Sequence, residues 1–131
     1  YVELRNVDWI GTNAFKNCPL DTVKIYFRSK RCGEILQDEA FASSGVREIY
    51  LNVPDSYKIP GMFYTIGDAC FRDCKKLSNI YFEEAVPFID AHVFSKEQRV
   101  RIHIKKGKRN TILIKKCIDG GNCEMEYMKD N

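Results

Sequence analysis

The sequence predicts a β-rich solenoid of about four to five stacked repeats, closed by a C-terminal hairpin. Three observations carry that prediction. Four segments share one pattern: "IGTNAFKNCPLDTVKIYF" (10–27), "LQDEAFASSGVREIYLNV" (36–53), "IGDACFRDCKKLSNIYF" (66–82) and "IDAHVFSKEQRVRIHI" (89–104). Each ends in an alternating apolar run, Val23/Ile25/Phe27, Ile49/Leu51/Val53, Ile80/Phe82 and Val100/Ile102/Ile104. That period of two marks a strand with one face inward. Finally, 131 residues, 44% of them hydrophobic, suit one domain, residues 1–131, with a continuous core.

Each repeat opens on Ile or Leu and reaches a phenylalanine five residues later: Phe15, Phe41, Phe71 and Phe94. Three positions on stand Cys18, Ser44, Cys74 and, in the last copy, Glu97. The opening segment supplies inward anchors on a turn-like return path, and the strand follows. A partial copy, "VELRNVDW" (2–9), contributes a strand alone, so the repeats occupy about 2–104. One unit buries too few large side chains to offset the entropy of ordering it, whereas stacked units share faces and pair strands.

Two stretches break the period. "PDSYKIPGMFY" (54–64) reads as a longer surface loop between the second and third strands. At the other break, "RVRIHIKKGKRNTILIKK" (99–116) reads as strand, glycine-containing turn and strand, a hairpin able to close the end of the stack. Residues 117–131 read as a turn and a frayed tail.

The string Ile-Gly-x-x-Ala/Cys-Phe-x-x-Cys followed by Leu-x-x-Ile-x-Phe resembles the BspA-like leucine-rich repeat. Full motifs lie near 10–27 and 66–82, and weaker ones at 36–53 and 89–104. The resemblance implies an α/β leucine-rich-repeat stack, curved, with a parallel sheet on its concave side. It implies an extracellular or cell-surface protein that contacts host or neighbouring-cell macromolecules. The chain opens "YVELRNVDW" and reads as part of a larger protein. The functional expectation is non-enzymatic binding of a protein or glycan through the concave face. A structural spacer within a larger surface protein is the alternative.

Tyrosine recurs in "KIYF", "EIYL" and "NIYF", with "RIHI" in the same slot. If the flanking apolar residues point inward, Tyr26, Tyr50, Tyr81 and His103 point outward from the sheet. They are expected in one column, extended by Glu3, with Lys24, Glu48, Asn79 and Arg101 flanking it on one side. Stacked tyrosines stabilise a sheet and also serve as low-entropy contact surface.

Net charge is +3, but the range 96–116 holds nine Lys/Arg against the single acid Glu97. Arg99, Arg101 and Lys105 alternate with core residues, and Lys106, Lys108 and Arg109 form a charged turn. Such a patch suits a polyanion such as an acidic glycan. Like charges on an end strand also block edge-to-edge association. Nucleic acid is disfavoured because no aromatics interleave with these cations.

The six cysteines form no metal-like spacing with His92 or His103, and neither a metal nor another cofactor is expected. Cys18 and Cys74 read as packed free thiols. Cys117 and Cys123 flank "IDGGN" and suit a small-loop disulfide in an oxidising compartment, while Cys32 has no evident partner. No nucleophile constellation or phosphate-cradling glycine loop stands out, so the chain reads as a non-enzyme. No apolar run approaches the roughly 20 residues of a membrane-spanning helix.

Overall fold

The computed structural model describes residues 1–28, 33–54, 64–89, 91–105 and 120–129. The alternating runs become strands with alternating burial. They are β1 (Val2–Val7), β2 (Thr22–Phe27), β4 (Glu48–Asn52), β6 (Asn79–Phe82), β7 (Val100–Ile104) and β8 (Cys123–Tyr127). These six pair in parallel, in the order β1-β2-β4-β6-β7-β8. A second, two-stranded parallel sheet joins β3 (Gly33–Leu36) to β5 (Tyr64–Ile66). Single bridges extend it to Ile10 and to Phe88. Each full repeat therefore runs from the small sheet, through a turn segment, into the large sheet.

The repeat anchors form the core. The opening residues Ile10, Leu36, Ile66 and Ile89 are all buried, as are the inward strand residues from Val23 to Ile104. The phenylalanines stack as a ladder, Phe15–Phe41–Phe71–Phe94, with centroids 5.2, 5.6 and 6.0 Å apart and interplanar angles of 13–17°. Three residues beyond them, the Cys74 thiol donates to the Phe41 carbonyl at 2.9 Å and lies 3.6 Å from the Ser44 hydroxyl. Cys18, Cys70 and Cys74 are free thiols; burial pushes that of Cys70 well up from the usual range and raises that of Cys74.

The described residues contain no α-helix; a 3₁₀ turn at Ala91–Val93 stands alone, so the helical part of the α/β expectation finds no support there. The physical reason lies in the turn segments. In each of the first three full repeats the residues two before and two after the phenylalanine have positive φ: Asn13 and Asn17, Glu39 and Ser43, Ala69 and Asp73. Left-handed residues at every fourth position preclude a right-handed helix. The amides of Asn13, Phe15 and Asn17 donate instead to the carbonyls of Asp38, Ala40 and Ala42 in the next repeat. Glu39, Phe41 and Ser43 donate onward to Asp68, Cys70 and Arg72. The turns are thus a second hydrogen-bonded ladder.

The C-terminal expectation also changes. Of the hairpin expected over 99–116, residues 106–116 lie outside the described residues. The first strand, β7, has both edges taken by parallel neighbours, β6 and β8. Residues 123–127, expected in a frayed tail, are β8 and extend the sheet by a sixth strand. Consequently β7 is an interior strand, and its cations have no edge to protect.

Candidate functional site

The outward positions of the large sheet make one row across six strands: Glu3, Lys24, Tyr50, Tyr81, His103 and Glu126. Its centre is a stack of three rings. Tyr50 lies on Tyr81 at 4.3 Å and 5°, and Tyr81 lies on His103 at 4.2 Å and 11°. Lys24 Nζ caps the stack 5.0 Å from the Tyr50 ring centre. The ring faces cover each other, so the row turns two phenol hydroxyls and an imidazole edge outward.

Tyr26 is corrected: it does not belong to that row. It pairs across from Asn52, one rung further along, because Lys24 is the residue opposite Tyr50. Among the described residues it stacks on no other ring, and Arg5 covers it from β1 with its guanidinium carbon 4.3 Å from the centroid. Equal tetrapeptides ("KIYF", "EIYL") suggest the wrong rung. Counting nine positions from the phenylalanine anchor finds the right one in three repeats: Phe15 to Lys24, Phe41 to Tyr50 and Phe94 to His103, whereas the third repeat takes ten, Phe71 to Tyr81. The flanking row shifts likewise, with Thr22 rather than Lys24 beside Glu48, followed by Asn79, Arg101 and Glu124.

Hydrogen bonds fix the stack. Tyr50 donates its hydroxyl to Glu48 at 3.2 Å, and His103 Nε2 is hydrogen-bonded to Asn79 Oδ1 at 2.8 Å. Burial, then the neighbouring Tyr81 and the bond to Glu48, hold the Tyr50 phenol up at about 12. Burial lowers the His103 pKa, and Arg101 adds to that, against the opposing pull of Glu126 and Glu48. The Tyr50 and His103 rings are therefore uncharged near neutrality. Beside the stack opens a notch of about 280 Å³, lined by Lys24, Tyr26, Tyr50, Asn52 and Glu83.

The basic strand is less bare than its sequence. Arg101 reaches Glu124 at 3.7 Å and Glu126 at 3.6 Å on β8, and Lys105 reaches Glu84 at 3.5 Å. The Arg99 guanidinium donates to the carbonyls of Lys96 and Gln98. Lys106, Lys108 and Arg109 lie outside the described residues, as do Cys32 and Cys117. Cys123, at the start of β8, is disulfide-bonded. Sequence reasoning missed Lys24 and Glu126 as members of the row, and missed β8 altogether. Alternation of Cys123, Met125 and Tyr127 was the available signal.

An all-parallel repeat stack with an outward aromatic row defines a class, that of stacked-repeat proteins. The chain belongs to the BspA-type leucine-rich repeat family, whose model matches residues 2–112 in six copies. Those six exceed the four full copies and one partial copy legible by eye. No curated protein and no solved structure matches the chain. Membership of a leucine-rich repeat family points to a protein-interaction module, and such repeats are typically non-enzymatic. Among the described residues no helix is long and apolar enough to cross a membrane.

Proposed function

We propose that this chain is a non-enzymatic adhesion module that binds a macromolecule of a host or neighbouring cell through the outward face of its six-stranded sheet. The observation that carries this reading is the ring stack Tyr50–Tyr81–His103, closely packed and framed by charged neighbours. Tyrosines held in place lose little entropy on binding, and a polar rim around an aromatic centre is the usual anatomy of an interface. The family is usually found at the surface or secreted, which supports an extracellular location. A disulfide at Cys123 also suits an oxidising compartment, with Cys117 as its proposed partner across "IDGGN".

The test is binding of the chain to a panel of purified extracellular-matrix glycoproteins by surface plasmon resonance. At least one is expected to bind, and the pair Tyr50→Ala/Tyr81→Ala to weaken it by about 30-fold, the loss typical of a hot-spot truncation of about 2 kcal/mol. Unchanged binding in that variant refutes the face as the contact surface. No binding to any member favours the spacer reading. A polyanion contact through Arg99, Arg101 and Lys105 would instead lose affinity steeply between low and physiological salt. The acidic partners of Arg101 and Lys105 weigh against it.

A further inference from the structure

The notch beside the ring stack is a break in the aromatic surface. On one rung Tyr50 meets Tyr81 and the rings close on each other. On the next rung Tyr26 meets Asn52, whose short side chain leaves a hollow about one ring wide. At about 280 Å³ the hollow falls just below the roughly 300–1,000 Å³ of sites for drug-sized ligands, which suits a single small ring.

Its lining decides the chemistry of that ring. Lys24 brings an ammonium and Glu83 a carboxylate, so a cation meets one repulsion and an anion the other. Among the described residues the side chains of Asn52 and Glu83 have no hydrogen-bond or ion-pair partner, and Lys24 contacts only the rings of Tyr1 and Tyr50. Three polar groups with no hydrogen-bond partner therefore line the notch: an amide that donates and accepts, a carboxylate that accepts and an ammonium that donates. The Tyr26 ring, stacked on no other ring, supplies an apolar wall. A neutral ring bearing several hydroxyls on an apolar carbon skeleton satisfies every one of these groups.

We propose that this notch is a saccharide subsite, taking one uncharged pyranose residue of a glycan with Asn52, Glu83 and Lys24 on its hydroxyls and Tyr26 against its carbon face. The assignment rests on the reading that the outward sheet face is the binding face, and it names the part of the partner that this face selects.

The experiment is a titration of the ¹⁵N-labelled full chain with the methyl glycosides of glucose, galactose, mannose and N-acetylglucosamine, followed by amide shifts. At least one glycoside is expected to give saturable shifts centred on Tyr26, Asn52 and Glu83. Half-saturation is expected near about 1 mM, the affinity a dozen-atom ligand reaches at ordinary ligand efficiency. Tyr26→Ala is expected to abolish the shifts. Asn52→Phe is expected to abolish them while holding or raising the melting temperature, because its ring fills the hollow beside Tyr26; loss of folding therefore cannot explain the result. Silence toward all four glycosides overturns the subsite. So does a response at the same residues to acetyl-glycylglycine amide alone, which makes the notch a peptide site. Glycoside shifts centred on Tyr81 and His103 overturn the notch but leave the binding face intact. If the matrix glycoproteins bind through Tyr50 and Tyr81 while every glycoside is silent, the subsite fails and the adhesion reading stands.

Discussion

Gly67 and Gly11 occupy the same place in the repeat motif, the glycine of Ile-Gly, yet replacing each by alanine is expected to have different consequences. A Cβ on Gly67 would stand 2.5 Å from Asp38 Oδ1, 2.6 Å from the Asp38 amide nitrogen and 2.8 Å from the Gln37 carbonyl carbon. Two of those atoms are backbone, and the third is held, because Asp38 Oδ1 accepts the Asp68 amide at 2.9 Å. The Gly67 amide also donates to Leu36 at 2.7 Å, so the two repeats cannot separate without losing that bond. Relief requires a shift of several tenths of an ångström between hydrogen-bonded repeats, and overpacking of this kind costs about 1–3 kcal/mol. For a domain of this size each kcal/mol lowers the melting temperature by roughly 3–5 °C, so Gly67→Ala is expected to lose about 3–15 °C. A Cβ on Gly11 would meet nothing nearer than Gln37 Oε1 at 3.9 Å, and Gly11 shows no positive φ. Gly11→Ala is therefore expected within about 0.5 kcal/mol of the parent, or slightly above it through the lost freedom of the unfolded chain. Paired thermal and urea melts of the two variants are the assay. Equal destabilisation by both would refute the reasoning, since the motif would then act through backbone conformation and not through the approach of repeat to repeat.

Two further outcomes concern ionisable groups. Glu34 has a carboxylate oxygen that is buried with no hydrogen-bond partner, and burial, then Asp38 and Asp68, raise its pKa. A raised carboxyl pKa means the folded state binds the extra proton, so the penalty is full above the folded pKa and vanishes below the unfolded one near 4.3. Glu34→Gln is expected to raise the melting temperature at pH 7, with the gain fading toward pH 4; no gain at pH 7 refutes it. His103 has the opposite linkage: its lowered pKa means the unfolded state binds the extra proton. Its contribution is full above about pH 6.5 and falls as pH drops through the folded value. The melting temperature of the parent minus that of His103→Gln, measured from pH 7.5 to 4.5, is expected to shrink on acidification, and a flat difference rules the linkage out.

Much of this architecture was legible because it is written in side-chain periodicity. Phe15, Phe41, Phe71 and Phe94 recur at fixed distances from an opening Ile or Leu, and the structure stacks them as one ladder. The inward residues of β2, β4, β6 and β7 follow from alternation alone. What failed did so for identifiable reasons. A shared tetrapeptide points Tyr26 to the ring row, but strand register is set by the apolar triplets, and Val23/Ile25 pair with Ile49/Leu51. β8 carries two glutamates on its outward face, so its composition resembles a tail; only its pairing with β7, across a long stretch of chain, makes it a strand. The cations of β7 looked like an isolated patch because their partners Glu124 and Glu126 sit more than 20 residues downstream.

By itself, then, the sequence determined that the chain is a stack of repeats with a phenylalanine spine, and that aromatic side chains emerge between core residues on the outward face. Those are consequences of local periodicity, which each repeat carries within its own length. The tertiary structure alone decided which outward residues become neighbours. It closed Tyr50, Tyr81 and His103 into one stack and left Tyr26 facing Asn52 across a hollow. It also set Glu124 and Glu126 against the basic strand and brought Asp38 close against Gly67 while leaving space around Gly11. Each of those depends on inter-repeat register, a relation between distant segments that no single repeat encodes.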